Sequence, residues 1–273
     1  MKSEATMKKY VCNGKVFDTE DTSVFEKISG SPIYEVVRVV GGKPIFLEDH
    51  LERMFKSGHL IGYDIGFTEE EISEFANICI KENEIKDNNI KFISVEDDYG
   101  EKLMIVLASE SFYPPSSYYE EGIRTVILEH ERDNPNVKIQ HGDYKEKVKK
   151  AIESTGSFEV LLKNSHGYIL EGSRSNLFYI LEGKIFTAPS SDVLLGITRR
   201  HIIKLCMDLG YSFEERKLHV DELKDVQALF ISGTSVGILP VSLVDNLEIP
   251  SASNGIIEKL LKAYDEMIHK TLE

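Results

Sequence analysis

Apolar and polar residues alternate along several short runs of this 273-residue chain, and the alternation switches between a period of two and a period near 3.6. Asn13-Gly14 stands between Tyr10-Val11-Cys12 and Lys15-Val16-Phe17. That is a hairpin signal, because a two-residue turn with both central residues at positive φ favours this pair. Gly41-Gly42 separates the β-branched run 33–40 from residues 44–47 and predicts a second hairpin. Asp49 is placed to cap a helix carrying Leu51, Met54 and Phe55. Thr68 with Glu71 forms a capping-box signal ahead of Ile72, Phe75, Ala76, Cys79 and Ile80. Strands predicted over 90–95 and 103–107 complete this half.

Residues 109–122 (SESFYPPSSYYEEG) break the periodicity with Pro, Ser and charge, as a connection between two packed units does. The aromatics Phe112, Tyr113, Tyr118 and Tyr119 call for packing against a domain or a partner subunit. Beyond this stretch the chain is denser in strands, predicted at 124–128, 158–162, 168–170, 176–181, 184–186, 228–231 and 238–241. Helices are predicted over 143–154 and over about the last twenty residues. A third begins near Thr198, carries Ile202, Ile203, Cys206 and Leu209 on one face, and stops at Gly210. The expectation is a mixed α/β chain of the α+β type. A smaller N-terminal α/β domain covers 1–115, a linker covers 116–122, and a larger strand-rich domain covers 123–273.

Composition narrows the partners. The formal charge of −14 argues against nucleic acid, whose phosphates need basic patches. No apolar run approaches the length of about 18 residues that a membrane helix needs, and the charged N-terminus lacks a following apolar region, so a cytoplasmic protein is expected. Cys12, Cys79 and Cys206 are odd in number, far apart and in apolar contexts, which predicts reduced core residues. The eight histidines form no metal-ligand spacing, and no metal is expected.

Three glycine-containing segments bring backbone to a potential ligand. Leu194-Leu195-Gly196-Ile197-Thr198-Arg199 precedes a helix, so the free amides near Ile197 and Thr198 favour an anion. Ser232-Gly233-Thr234-Ser235 offers hydroxyls and amides after the strand 228–231. Glu171-Gly172-Ser173-Arg174-Ser175-Asn176 sets an acid between two strands. Taken singly, each is as well explained by an ordinary turn or helix entry.

In combination and order, Y-I-L-E-G-S-R-S-N-L-F, L-L-G-I-T-R and S-G-T-S-V-G-I-L-P-V resemble the class IV (fold type IV) aminotransferases over nearly the whole chain. That family of pyridoxal 5'-phosphate (PLP) enzymes includes branched-chain and D-amino acid aminotransferases and aminodeoxychorismate lyase. The resemblance implies a two-domain fold, a homodimer, and amino acid and 2-keto acid substrates. His50-Leu51-Glu52-Arg53-Met54 matches the family's H-L-x-R-L, which implies a phosphate contact for Arg53, with His50 orienting the helix. Counting back 21 residues from Glu159 in Gly156-Ser157-Phe158-Glu159, the family's spacing, identifies Lys138 as the cofactor lysine. Pro135-Asn136-Val137 suits an extended approach to it, whereas Lys145, Lys147, Lys149 and Lys150 fall on a charged helical face. By the same resemblance Glu171 faces the pyridine nitrogen, where a carboxylate favours the protonated ring. Ile197, Thr198 and Thr234 hold the phosphate, and Leu194 packs on the ring.

The chain departs from the family pattern at two places, and a third segment bears on the choice of substrate. Asp143, followed by Tyr144, stands where branched-chain enzymes have a tyrosine five residues after the lysine. Ser29 and Pro32 replace a tyrosine and a small residue ahead of Tyr34-Glu35. Residues 90–97 lack the arginine and histidine with which D-amino acid aminotransferases hold the carboxylate, and carry Glu96 instead. Tyr34, Arg38 and Ser235 are candidate substrate contacts, and Lys91 or Arg38 supplies positive charge for a carboxylate. The favoured reading is an L-amino acid transaminase of the branched-chain type. Aminodeoxychorismate lyase, a D-amino acid aminotransferase and a non-catalytic PLP-binding protein stand as alternatives.

Overall fold

The computed structural model describes residues 4–28, 30–130, 136–138 and 142–272, without the side chains of 142–144. The chain divides into two compact units: Met1–Phe112 with Val137–His141 and Lys270–Glu273, and Tyr113–Asn136 with Gly142–His269. The segment carrying Lys138 therefore belongs to the first unit, although the sequence counts it with 123–273. Ser29 and Pro135 lie outside the described residues, as do the side chains of Asp143 and Tyr144.

The first unit runs β1 (Ala5–Cys12), β2 (Lys15–Asp18), α1 (Ser23–Glu26), β3 (Ile33–Val40), β4 (Lys43–Pro44), α2 (Leu47–Leu60), α3 (Glu69–Glu82), β5 (Asn88–Glu96) and β6 (Lys102–Ser109). Six strands form one antiparallel sheet in the order β2-β1-β6-β5-β3-β4. The two hairpins expected from the sequence turn at Asn13 and Gly14, with φ of 49° and 76°, and at Gly41 and Gly42, with φ of 56° and 81°. These are the positive angles that the two dipeptides tolerate. Strict alternation in β3 sends Ile33, Val37 and Val39 into a core shared with Leu51 and Met54 of α2 and Ile72 and Phe75 of α3. Glu35 points the same way, and Tyr34, Val36 and Arg38 take the opposite face. On that opposite face Tyr10, Ile93, Ile105 and Leu107 pack with Phe25 of α1 in a second cluster.

The capping box at α3 forms as read: the Thr68 Oγ1 accepts from Glu71 N at 3.2 Å, and Glu71 Oε2 accepts from Thr68 N at 2.8 Å. The α2 start differs. The helix begins at Leu47 after Phe46, whose φ of 54° turns the chain sharply, so Asp49 lies inside the first turn rather than capping it. There its charge still favours the positive end of the helix dipole. For the same reason the strand expected over 44–47 ends at Pro44.

The second unit runs α4 (Ser116–Glu121), β7 (Ile123–Glu129), α5 (Gly142–Thr155), β8 (Glu159–Lys163), β9 (Tyr168–Gly172), β10 (Asn176–Leu181), β11 (Lys184–Thr187), α6 (Ile197–Asp208), β12 (Phe213–Glu215), β13 (Leu218–His219), a 3-10 turn (Val220–Asp225), β14 (Ala228–Gly233), β15 (Gly237–Val244), β16 (Leu247–Glu248) and α7 (Gly255–Leu272). The stretch read as a linker thus folds as a helix of this unit. Its Tyr119 hydroxyl donates to Val236 O at 3.0 Å, and Tyr118 stacks edge-on against Phe158. The main sheet follows the order β12-β11-β10-β14-β15-β7-β8-β9-β13. A further bridge between β9 and β10, Glu171 opposite Asn176, joins β10-β14-β15-β7-β8-β9 into a closed ring. Leu161, Leu177, Leu229, Ile231, Leu239 and Val241 build the core of this unit. The three cysteines are buried free thiols, with burial pushing Cys79 and Cys206 up to about 12 and Cys12 to about 11.

Thr68→Ala removes one half of the capping box and should destabilise the protein by about 1 kcal/mol in denaturant unfolding. Thr68→Ser keeps the hydroxyl and should lose less than half of that.

Candidate active site

Glu35 carries a carboxylate into the apolar core between sheet and helices, and α2 supplies its partners. His50 and Arg53 stand three residues apart on one helical face. Arg53 Nε donates to Glu35 Oε1 at 2.7 Å and Nη2 to Oε2 at 2.6 Å, while His50 Nδ1 lies 2.8 Å from Oε2. A carboxylate only accepts, so His50 Nδ1 carries the proton. Burial pushes the Glu35 carboxyl upward, but the Arg53 charge and the hydrogen bonds from His50 and Arg53 outweigh it and hold the group well below the usual carboxylate range. Burial pushes the His50 imidazole down and, with the Arg53 and Lys138 charges, outweighs the hydrogen bond and charge of Glu35, which act upward. His50 is therefore neutral beside an ionised Glu35. Arg53, read from the sequence as a phosphate contact, is oriented by a two-pronged grip on Glu35.

Lys138 is anchored to the outer edge of β3. Its carbonyl accepts from Tyr34 N at 3.3 Å, and its Nζ lies 5.1 Å from the centroid of the Tyr34 ring. Lys91 Nζ stands 4.9 Å from the same ring. Lys145, Lys147, Lys149 and Lys150 all face solvent on α5, and the last two pair along the helix with Glu153 and Glu146 at 72% and 73% side-chain exposure. Arg38 shares the half-exposed face of β3 with Tyr34.

In the second unit the bridge that closes the strand ring also grips the segment leading into α6. Glu171 Oε2 accepts from Leu194 N at 3.2 Å, and Asn176 Nδ2 donates to Leu194 O at 2.8 Å. The register pair Glu171 and Asn176 so holds one residue by both its backbone groups. Two residues on, a Cβ at Gly196 would come within 2.1 Å of Asn176 Oδ1, so only glycine passes there. The turn between Glu171 and Asn176 is set from below by Glu159. Its carboxylate accepts from the Ser173 hydroxyl, from Ser173 N at 3.2 Å and from the Ser175 hydroxyl at 3.0 Å, with Arg174 Nε at 3.8 Å. A Cβ at Gly172 would reach 2.0 Å from Ser175 Oγ.

Ile197 and Thr198 open α6 and are both buried, and no side chain caps this end. A buried helix N-terminus without a cap calls for an anion. On β14, against which α6 packs, the Ser232 hydroxyl is buried and has no hydrogen-bond partner among the described residues. Thr234 and Ser235 follow in the half-exposed β14–β15 turn. The uncapped amides and the buried Ser232 hydroxyl fit a phosphate; the chemistry of a lysine amine such as that of Lys138 fits the aldehyde of PLP, and that of a buried carboxylate such as that of Glu171 fits its ring, so the residue types present suit the cofactor that the resemblance implies.

The sequence alone names Lys138, Arg53 and Glu171 as candidates but gives no role to Glu35 or Asn176 and uses Glu159 only as a landmark. The available signal was an acid at an inward position of an alternating strand. Glu35 at 33–39 is one, and a buried acid demands a nearby donor set.

A family model described as amino-transferase class IV matches residues 32–244. The chain is 26% identical over 266 residues to the D-alanine aminotransferase of Bacillus licheniformis, covering 92% of this chain and 93% of that protein. It is 28% identical over 259 residues to the branched-chain-amino-acid aminotransferase of Pseudomonas aeruginosa, covering 88% and 84%. Among solved structures, the branched-chain amino acid aminotransferase of Escherichia coli matches with a TM-score of 0.86 at 23% identity, over 96% of this chain and 95% of that one. The T.th. branched-chain amino acid aminotransferase with pyridoxamine 5'-phosphate matches at 0.84 and 23%, over 97% and 95%. Both share the fold.

Glu35→Gln removes the charge that balances Arg53 in the core, and denaturant unfolding should show a loss of about 3–5 kcal/mol. His50 adds a pH signature. Its folded pKa lies below the unfolded value near 6.5, so its contribution is complete above about pH 6.5 and declines as the pH falls. From about pH 7.5 to about pH 5.5 the melting temperature of the parent should fall further than that of His50→Gln, whose amide does not titrate. Parallel curves for the two proteins would contradict a neutral buried His50.

Proposed function

Because the chain belongs to the class IV aminotransferase family, we propose that it moves an amino group from a branched-chain-like L-amino acid to a 2-keto acid, with Lys138 as the cofactor lysine. The protein is a PLP-dependent aminotransferase. The observation that carries the lysine assignment is local: Lys138 is tied to β3 with its amine against Tyr34, while the lysines of α5 point into solvent.

When bound, PLP supplies an aldehyde that condenses with amines and a pyridine ring that withdraws electrons. Lys138 would hold the cofactor through Nζ, and its amine, when free, would move the proton at the substrate Cα. Glu171 would keep a proton on the ring nitrogen, and its bond from Leu194 N fixes the direction of its carboxylate. Arg53, the amides of Ile197 and Thr198 and the Thr234 hydroxyl would hold the phosphate, and Leu194 would pack on the ring. Tyr34, Arg38 and Ser235 contact the substrate. The branched-chain preference draws on the relatives of that name and on the absence of an arginine and a histidine at 90–97. A D-amino acid preference is the second reading, favoured by the D-alanine aminotransferase of Bacillus licheniformis. A homodimer in the cytoplasm completes the proposal from the family resemblance. Among the described residues no helix is long and apolar enough to cross a membrane.

Borohydride reduction of the purified protein followed by peptide mapping should place the cofactor label on Lys138; label on α5 instead would remove the assignment. Half-reaction spectra with L-leucine, L-valine and D-alanine decide between the two substrate readings. Glu171→Gln should still bind PLP but slow the half-reaction by about tenfold or more, equivalent to about 1.4 kcal/mol of barrier. Full turnover in that variant at saturating PLP would displace Glu171 from its role.

A further inference from the structure

Lys91, one of the two residues read from the sequence as positive charge for a carboxylate, lies inside the first unit. Its register partner on β3 is Val36, so it lies on the same sheet face as Tyr34 and Arg38, diagonal to Tyr34. Its side chain is 6% exposed and is balanced by the carboxylate of Glu4, the residue before β1, through a short ion pair. Glu4 is 39% exposed. The two partners are therefore unequal. Water reaches the acid and barely reaches the amine, so releasing Glu4 costs little, provided another carboxylate takes its place on Lys91.

Tyr34 relates this pair to Lys138. Both amines lie about 5 Å from one ring centroid, at 4.9 and 5.1 Å, so they stand no more than about 10 Å apart. In a five-carbon dicarboxylic amino acid the distal oxygen lies about 6 Å from the amino nitrogen, given C–C bonds of about 1.5 Å. One hydrogen bond of about 2.8 Å extends that reach to about 9 Å, which spans all but the largest separations that this bound allows. An uncharged side chain makes no such demand and leaves the ion pair closed.

We propose that Glu4 is an internal competitor for Lys91: its carboxylate occupies the place of a substrate's distal carboxylate, so acidic substrates must displace it and uncharged ones need not. The proposal rests on the reading of Lys138 as the cofactor lysine. Glu4 then sets the balance between acidic and apolar substrates from a strand end that touches no reacting atom.

The test compares glutarate with pentanoate, which differ by one carboxylate, in calorimetric titrations of the PLP-loaded protein. Glu4→Gln should tighten glutarate by about tenfold and leave pentanoate within about twofold, the size expected for freeing one charge-assisted hydrogen bond. Lys91→Met should abolish the difference between the two ligands. Unchanged glutarate affinity in Glu4→Gln, or an equal gain for both ligands, overturns the proposal, and Glu4→Gln decides alone if Lys91→Met does not fold. Borohydride mapping on the same samples separates the two readings. Label on Lys138 with no glutarate response removes only the role of Glu4, whereas label elsewhere removes its premise as well.

Discussion

Taking a carboxylate out of water is the constraint on which this architecture depends. Glu35, Glu159 and Glu171 are 0%, 1% and 4% exposed, and an ionised acid at such depth is tolerated only where donors surround it. Each is met differently. Glu35 receives a guanidinium and an imidazole from one helix; Glu159 receives two hydroxyls and an amide from a turn; Glu171 receives the amide of Leu194. The donors in turn fix the elements that bear them: the rotation of α2 about its axis, the path of the turn from Gly172 to Ser175, and the approach to α6.

The consequence in the second unit is mechanical. A closed strand ring needs one last pairing, and here the closing pair is Glu171 with Asn176, whose side chains both bind Leu194. Closure of the ring and placement of the helix N-terminus are thus one event, and Gly196 lets the chain pass Asn176 at a distance no side chain permits. A change at any of these positions is transmitted to the amides of Ile197 and Thr198. Rigid strands, rather than loops, therefore set the direction of the anion-seeking donors.

In the first unit the alternation of β3 divides labour between two faces. Glu35 turns inward to hold Arg53 and His50, and its neighbour Tyr34 turns outward to lie against Lys138 and Lys91. Adjacent residues so serve a buried charge network on one side and an amine-lined surface on the other.

Local chemistry was legible in the chain by itself. The turns at Asn13-Gly14 and Gly41-Gly42, the capping box of Thr68 and Glu71 and the stop at Gly210 depend on residues within a few positions of one another, where propensity and periodicity act directly. The order of three glycine segments identified the family, and its spacing marked Lys138. Asp49 misled because the left-handed turn at Phe46 starts α2 earlier than any cap residue signals. The stretch around Tyr118 read as a linker because a six-residue helix held by distant partners leaves little periodic trace. What only the tertiary structure decided is which groups meet across the chain: Glu35 with Arg53, Glu171 with Leu194 across 23 positions, Glu4 with Lys91 across 87. Alternation tells that a side chain points inward, but its partner is chosen by strand register and sheet order, which are properties of the folded whole.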